Sequence, residues 1–182
     1  MCSQLYGRNI PHLPVVTWKG LLGAQASRVQ SFSIVRDPEE RLISLYAFIK
    51  QGGTKLMAAP RYDPWNLSSA VDFDDFLDRL WSDKTDRWRP VYLRPQCHCV
   101  HDSSGAIAVD RLFSFKAARG LPAELSNWLG IAAMPKHNAS QLPEVHVSST
   151  LRSKIEQHYA EDFGIFQRIE DSGGILMLSE PG

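Results

Sequence analysis

The chain has 182 residues, of which 43% are hydrophobic and 22% are charged, and this composition is typical of one globular domain with a sizeable core. Twenty basic residues balance twenty acidic ones, which excludes a general electrostatic attraction to nucleic acid or to an anionic membrane. Residues 1–9 do not form a signal peptide, and the sequence contains no apolar run that could cross a bilayer. The 3 cysteines cannot all pair within one chain, so we expect a reducing compartment and a soluble, cytoplasmic protein.

The amino-terminal region gives one clear helix signal. Residues 1–9 show no periodicity, and prolines bracket residues 10–14, which favours an extended segment there. Residues 15–23 predict a short helix that Gly23 closes, because glycine is the usual residue just past a helix end.

Residues 31–46 predict a buried strand that runs directly into a helix. The apolar run of residues 32–35 indicates the strand, and Arg36 follows at its carboxyl end, where open α/β sheets usually bind ligands. Asp37 is suited to cap the helix and Pro38 to occupy its first position, and a pair of glycines ends it.

The start of this helix is a candidate anion site. Free backbone N–H groups and the helix dipole favour a phosphate there, Arg36 can add a forked charge-assisted contact, and Ser44 can add a hydroxyl. The alternative is that Arg36 and Arg41 pair with acidic residues of a solvated helix start, namely Asp37, Glu39 and Glu40.

Residues 51–70 contain glycines and prolines without a regular period, so we expect a long surface loop. Cations and ring faces suited to a sugar lie within it: Lys55, Arg61, Tyr62 and Trp65. The alternative is a disordered excursion that tolerates aromatic residues.

Residues 72–81 predict an amphipathic helix, with apolar side chains at helical spacing: Phe73, Phe76, Leu77 and Leu80. The aspartates of its other face indicate a solvated surface rather than a metal site. Residues 87–96 combine arginines with aromatic residues, but the neutral net charge and the lack of a nucleic-acid-binding motif argue against nucleic acid as a partner.

Residues 97–101 raise a zinc hypothesis, because thiolates and imidazoles are the usual ligands of zinc. We expect Cys97, His98, Cys99 and His101 to lie on a strand, where alternating ligands would need a second pair elsewhere to close a tetrahedron. The sequence offers no Cys-x-x-Cys partner, so we assign no metal.

The remaining sequence predicts alternating turns, strands and helices. We expect a turn at residues 102–105, strands at 106–109 and 112–115, a helix at 121–130 that Gly130 ends, and a long helix at 150–166 that Thr150 caps. Residues 171–182 are expected to be a flexible tail, with docking of residues 175–178 on an apolar surface as the alternative.

Several of these segments together resemble the carbohydrate sulfotransferases of the sulfotransferase family 2 type, which use 3′-phosphoadenosine 5′-phosphosulfate (PAPS) as sulfuryl donor. The central pattern is Val-Arg-Asp-Pro-x-x-Arg-x-x-Ser-x-Tyr at residues 35–46. The Arg-Pro-Gln at residues 94–96, the turn that follows it and the helix at 150–166 extend the resemblance over residues 12–166.

The resemblance implies an α/β domain over residues 1–170 with a P-loop-nucleotide-hydrolase-like sulfotransferase fold, in which helices flank a central, mostly parallel sheet. It also implies that Arg36 and Ser44 bind the 3′-phosphate of PAPS and that His12 is the catalytic base. It also places further residues near substrate: Arg61, Arg94 and Gln96 on the acceptor side, and Lys136, His137 and Asn138 near the nucleotide or the acceptor. Lys116 stands where the family often has an acid, and we expect it to be structural.

The activity implied is transfer of a sulfuryl group from the nucleotide donor PAPS to a hydroxyl of a saccharide acceptor, without a metal. The first strand and the lysine-bearing phosphosulfate loop of the family have no counterpart in residues 1–9, so we expect weak or no turnover by this chain alone. The alternative is a catalytically inactive module that binds the nucleotide or the saccharide.

Overall fold

The computed structural model describes residues 2–5, 8–11, 14–53, 59, 63, 65–82, 93–120, 122–130, 132 and 144–178. The chain divides into two compact units. The first unit comprises Met1–Asp37, Pro90–Met134 and Glu161–Gly182, and the second comprises Pro38–Arg89 and Pro135–Ala160.

The described elements are helices and strands in mixed order along the chain. The helices are α1 (Val15–Leu22), α2 (Pro38–Lys50), α3 (Phe73–Ser82), α4 (Cys97–Val100), α5 (Phe115–Arg119), α6 (Ala123–Leu129), α7 (Ser149–His158) and α8 (Ala160–Asp171), with short 3-10 helices at Gly23–Arg28 and Leu67–Ser69. The strands are β1 (Cys2–Leu5), β2 (Arg8–Pro11), β3 (Phe32–Val35), β4 (Arg111–Ser114) and β5 (Ile175–Met177).

The sheet of the first unit has the order β3-β4-β5. Strands β3 and β4 are parallel, and β5 pairs antiparallel with β4. The structure therefore has a small mixed sheet flanked by helices, which confirms the α/β class; two of its three strands run parallel, and a larger, mostly parallel sheet stays a prediction. Strands β1 and β2 form a separate antiparallel pair.

A carboxylate sets the register of the parallel pair. Oδ2 of Asp110, just before β4, accepts hydrogen bonds from the backbone N–H and the hydroxyl of Ser31, just before β3, at 2.6 and 2.7 Å. The hydroxyl of Ser31 accepts in turn from the N–H of Asp110 at 3.2 Å. Because both strands begin at this linked pair, their carboxyl ends also lie side by side.

Each face of this sheet is covered by apolar side chains from helices. One face packs against α1, α4 and α8 and includes Val15, Val35, Cys97, Val100, Leu112, Ile165 and Ile169. The other face packs against α5 and α6 and includes Phe32, Ile34, Phe113, Ala118, Leu125 and Ile175. The alternation of Leu112 and Phe113 between the two faces follows from the two-residue period of a strand.

The second unit is built from α2, α3 and α7 around an aromatic cluster. The ring of Tyr46 on α2 meets those of Phe73 and Phe76 on α3 edge to face, at centroid distances of 5.5 and 5.3 Å. The carboxylate of Glu39 on α2 receives two hydrogen bonds from Arg152 on α7, at 3.0 and 3.4 Å. The predicted amphipathic helix is confirmed as α3, and its predicted apolar residues are all buried.

Two strand and helix predictions in the carboxyl-terminal half are wrong. Residues 106–109 form only an isolated bridge, His101 to Ile107, because the turn at 102–105 folds the chain back on the end of α4 rather than onto the sheet. The helix predicted at 150–166 is two helices, α7 and α8, interrupted at Tyr159. The hydroxyl of Ser148, not Thr150, caps α7, and each helix buries residues in the core of its own unit.

The predicted turn at 102–105 is confirmed. The carboxylate of Asp102 accepts hydrogen bonds from the hydroxyl and the N–H of Ser104, and these bonds hold the pKa of Asp102 below its usual value. Residues 175–177 form β5, the arrangement that the docking alternative predicted for the carboxyl-terminal segment. The boundary of a domain at residue 170 stays a prediction.

Among the described residues, none belongs to a helix with the length and apolar character that a membrane crossing requires.

A substitution in the turn before β5 tests the packing at the edge of the sheet. We expect Gly174→Ala to lower the free energy of unfolding by about 2 kcal/mol. The φ of Gly174 is +91°, and a Cβ there would lie 2.9 Å from the Cβ of Ala117 and 3.3 Å from the Oγ of Ser114. Urea denaturation measures the change.

Gly164→Ala is the matched control, because Gly164 lies inside α8 and a Cβ there meets no atom of the described residues within 4 Å. This control should raise the free energy of unfolding by about 0.5–1 kcal/mol. Equal effects of the two substitutions would contradict the strain assigned to Gly174.

Candidate functional site

The candidate site lies where the parallel strands end. Val35, the last residue of β3, is paired with Ser114, the last residue of β4. Arg36 and Phe115 therefore follow their strands at the same edge of the sheet. Ligands of open α/β sheets usually bind outside the carboxyl ends of the strands, so the structure places Arg36 at such a position.

The side chain of Gln96 holds the backbone of Arg36. The N–H of Arg36 donates to Oε1 of Gln96 at 3.0 Å, and Nε2 of Gln96 donates to the carbonyl oxygen of Arg36 at 2.8 Å. The side-chain amide of Gln96 thus makes the same two hydrogen bonds with the Arg36 backbone that a neighbouring strand would make. The two residues are 60 positions apart in sequence. This contact uses both ends of the Gln96 amide, so Gln96 positions Arg36.

The guanidinium of Arg36 lies over an aromatic ring. Its Cζ is 5.0 Å from the ring centroid of Phe115, and the Cζ of Arg119 is 5.7 Å from the same centroid. Phe115 is 37% exposed. Two guanidinium groups beside a partly exposed ring combine forked anion donors with a stacking face, which suits a phosphorylated aromatic ligand such as a nucleotide.

The segment that carries Gln96 is itself anchored by Asp162 at the start of α8. The carboxylate of Asp162 accepts hydrogen bonds from the N–H groups of Gln96 and Cys97, at 2.7 and 2.8 Å. Asp162 is fully buried. The first N–H groups of a helix have no partner within that helix, so the Asp162 carboxylate acts as a tertiary cap of α4.

The strand predicted at residues 97–101 is therefore wrong. Residues 97–100 form the single-turn helix α4, with Cys97 and Val100 buried at a spacing of three. The helix forms because Asp162, which lies 65 positions away from Cys97, supplies its cap.

Ser44 and Tyr46 belong to the second unit. Ser44 is half-buried on α2, and Tyr46 packs in the aromatic cluster. The Glu39 carboxylate accepts two hydrogen bonds from Arg152 on α7, and the alternative pairing of Arg36 and Arg41 with acidic residues of the helix start stays open. The predicted helix start is confirmed, since α2 begins at Pro38.

Of the sequence-predicted site residues, the structure brings Arg36 and Gln96 together and places Arg94 two positions before Gln96, half-buried. His12 and Arg61 lie outside the described residues, as do Lys55, Tyr62, Lys136, His137 and Asn138. Lys116 is an exposed residue of α5.

Sequence reasoning missed Phe115 and Arg119. It assigned Phe115 to the end of a strand, whereas the hydroxyl of Ser114 accepts from the N–H of Ala117 and starts α5 at Phe115. The available signal was the Ser-Phe-x-x-x-Arg spacing, because a serine cap puts the residues at positions 115 and 119 on one side of the helix that follows.

Comparison with known proteins identifies the family of this chain. The model of the sulfotransferase family matches residues 6–167. No curated protein and no solved structure matches the chain. The matched range contains β3, Arg36, Gln96 and Asp162 and spans most of the sequence, so the chain belongs to the sulfotransferase family.

Proposed function

We propose that this chain binds PAPS and transfers its sulfuryl group to a carbohydrate hydroxyl. The observation that carries the proposal is the pair of hydrogen bonds between the Gln96 side chain and the backbone of Arg36. Arg36 lies at the carboxyl end of β3, inside the range that matches the sulfotransferase family. A backbone fixed in this way limits where the guanidinium can reach, and preorganised donors bind anions more tightly than mobile ones.

The 3′-phosphate of the donor is assigned to Arg36 and Ser44. A phosphate matches the forked geometry of a guanidinium, and a serine hydroxyl can donate a further hydrogen bond. The ring of Phe115 and the guanidinium of Arg119 lie beside Arg36 and are suited to the base and to a second anionic group of the same nucleotide.

The reaction is a displacement at sulfur. The acceptor hydroxyl forms a new O–S bond, the bond from sulfur to the phosphate oxygen breaks, and adenosine 3′,5′-bisphosphate leaves with the electron pair. A base must take the hydroxyl proton, and His12 is assigned that role because histidine titrates near neutral pH. The main demands on the protein are alignment and stabilisation of charge on the leaving phosphate.

On the acceptor side the proposal keeps Arg61 and Arg94, whose charges suit an acidic saccharide. A P-loop-type sulfotransferase fold is also part of the proposal. The parallel pair β3 and β4, with helices on both faces of the sheet, supports it. The cytoplasmic location inferred from the cysteine content stays a prediction.

Two measurements test this function. Calorimetry with adenosine 3′,5′-bisphosphate should give saturable binding at one site per chain, and radiolabelled PAPS should give slow transfer of sulfate to oligosaccharides, above the level of heat-denatured protein. Binding without transfer would favour the inactive module instead. Absence of both would overturn the proposal.

A substitution at Gln96 tests whether this side chain positions Arg36 for nucleotide binding, independently of its effect on stability. We expect Gln96→Leu to raise the Kd for adenosine 3′,5′-bisphosphate about tenfold, because two hydrogen bonds that fix the Arg36 backbone are lost. Calorimetry at a temperature where the variant is fully folded measures the change.

Gln96→Glu should restore part of the affinity, since it keeps an acceptor for the N–H of Arg36 but loses the donor to its carbonyl oxygen. Gln167→Leu, on the exposed surface of α8, is the matched control and should bind as the wild type does. An unchanged Kd in folded Gln96→Leu would remove Gln96 from the site.

A further inference from the structure

A second cluster of reactive side chains lies in the first unit, apart from the Arg36 guanidinium. Cys97, His101 and Glu161 each offer a ligand atom, and these atoms all lie within 4.8 Å of one another. Nδ1 of His101 is 3.9 Å from Oε2 of Glu161. The set combines one sulfur, one nitrogen and one oxygen, which are the donor atoms that zinc accepts in proteins.

The fold brings these residues together from two helices. Cys97 begins α4 and His101 follows its end, so a spacing of four puts both side chains on one side of the turn. Glu161 lies in the first turn of α8. The neighbouring Asp162 fixes the two elements to each other, because its carboxylate binds the N–H groups at the start of α4.

We propose that Cys97, His101 and Glu161 bind one zinc-class divalent transition-metal ion, with water in the fourth position. The sulfur and the imidazole nitrogen select against magnesium and calcium, which prefer sets of oxygen ligands. The sequence pattern does not predict this site, because residues 97–101 have no second cysteine or histidine pair as a partner. The third ligand is instead a carboxylate 60 positions beyond His101.

The distances suit such an ion. In a tetrahedral zinc site with bonds of about 2.0–2.3 Å, pairs of ligand atoms lie about 3.3–3.6 Å apart. The 3.9 Å between His101 and Glu161 is slightly longer than that. The side chain of Glu161 is 72% exposed, so its carboxylate can move inward. The same exposure gives the ion a path of entry. The side chain of His101 is 19% exposed, so the residues around it restrict its movement.

The charges around Cys97 favour a cation. The carboxylates of Asp162 and Glu161 lie close to its thiol, and such negative surroundings attract a divalent ion. On binding, the S–H bond breaks, a bond from sulfur to the metal forms, and the proton leaves to water, so the ion takes the place of the proton.

The test uses the full chain with Zn²⁺ and with Co²⁺ as a spectroscopic probe. Calorimetry should show one Zn²⁺ per chain, and Co²⁺ should give the visible bands of a tetrahedral site together with a thiolate charge-transfer band. Excess Zn²⁺ should also raise the Tm of the wild type by several degrees, because it binds the folded state preferentially.

Cys97→Ser should abolish the thiolate band and raise the Kd for Zn²⁺ at least a hundredfold, and His101→Ala should weaken binding similarly. Glu161→Gln changes an exposed side chain, so it tests the site even if Cys97→Ser fails to fold; we expect at least a tenfold rise in Kd. Cys99→Ser and Glu170→Gln are the matched controls and should bind as the wild type does.

Failure of the wild type to bind Zn²⁺ stoichiometrically would overturn the proposal. Unchanged Zn²⁺ binding by Glu161→Gln, or an unchanged thiolate band in folded Cys97→Ser, would do the same. The readouts require no sulfate transfer, so they are independent of the proposed enzyme function.

Discussion

Replacing Asp162 with alanine is expected to lower the free energy of unfolding by about 3 kcal/mol. Its carboxylate is fully buried and accepts from the N–H groups of Gln96 and Cys97. Removal leaves both donors buried without this partner and removes the tertiary cap of α4. Chemical denaturation, with far-ultraviolet circular dichroism as the probe, measures the loss.

Asp162→Asn tests whether the charge or the shape matters. Its carbonyl oxygen can still accept from one N–H group, but its amide nitrogen would face the other donor, so we expect a loss of about 1–2 kcal/mol. Asp171→Ala, at the exposed end of the same helix, should stay within about 0.5 kcal/mol of the wild type. A similar effect at residues 162 and 171 would refute the capping role.

Arg36→Ala is expected to raise the Kd for adenosine 3′,5′-bisphosphate about a hundredfold. A charge-assisted guanidinium contact contributes about 1.5–3 kcal/mol, and each 1.4 kcal/mol is a factor of ten in Kd. The residue also stacks on Phe115, so its loss removes support from the aromatic side of the site. Calorimetry at two salt concentrations measures the change, and the wild-type affinity should fall more steeply with salt.

Arg36→Lys keeps the positive charge but loses the forked pair of guanidinium donors, so we expect it to bind with intermediate affinity. Arg168→Ala removes an exposed arginine from α8 and is the control for charge alone. If Arg36→Ala binds the nucleotide as the wild type does, the assignment of the 3′-phosphate to Arg36 fails, whether or not the chain transfers sulfate.

Elements with strong local signals were predictable. The passage from β3 into α2 was readable because an apolar run stands directly before a proline at the first helical position, and a glycine pair marks the end of the helix. The helix α3 was readable because its buried residues repeat at helical spacing. In both cases the signals lie within the element and its immediate flanks.

Elements that depend on distant partners were not predictable. Residues 97–101 were expected to form a strand, yet the buried carboxylate of Asp162 makes residues 97–100 a helix. Residues 150–166 show one helical period, yet the chain leaves the helix at Tyr159. Local propensity is too weak to resist a buried charge or the packing of a separate core.

Motif spacing and helix signals are local properties, so the resemblance to a sulfotransferase and the position of Arg36 at the end of a strand can be read from the amino-acid sequence. The surroundings of that arginine depend on the tertiary fold. Gln96 lies 60 positions away and Asp162 another 66 positions beyond Gln96, and no periodicity links them. Their contacts arise because a buried carboxylate and a half-buried amide must each find partners, and the fold supplies those partners from distant parts of the chain.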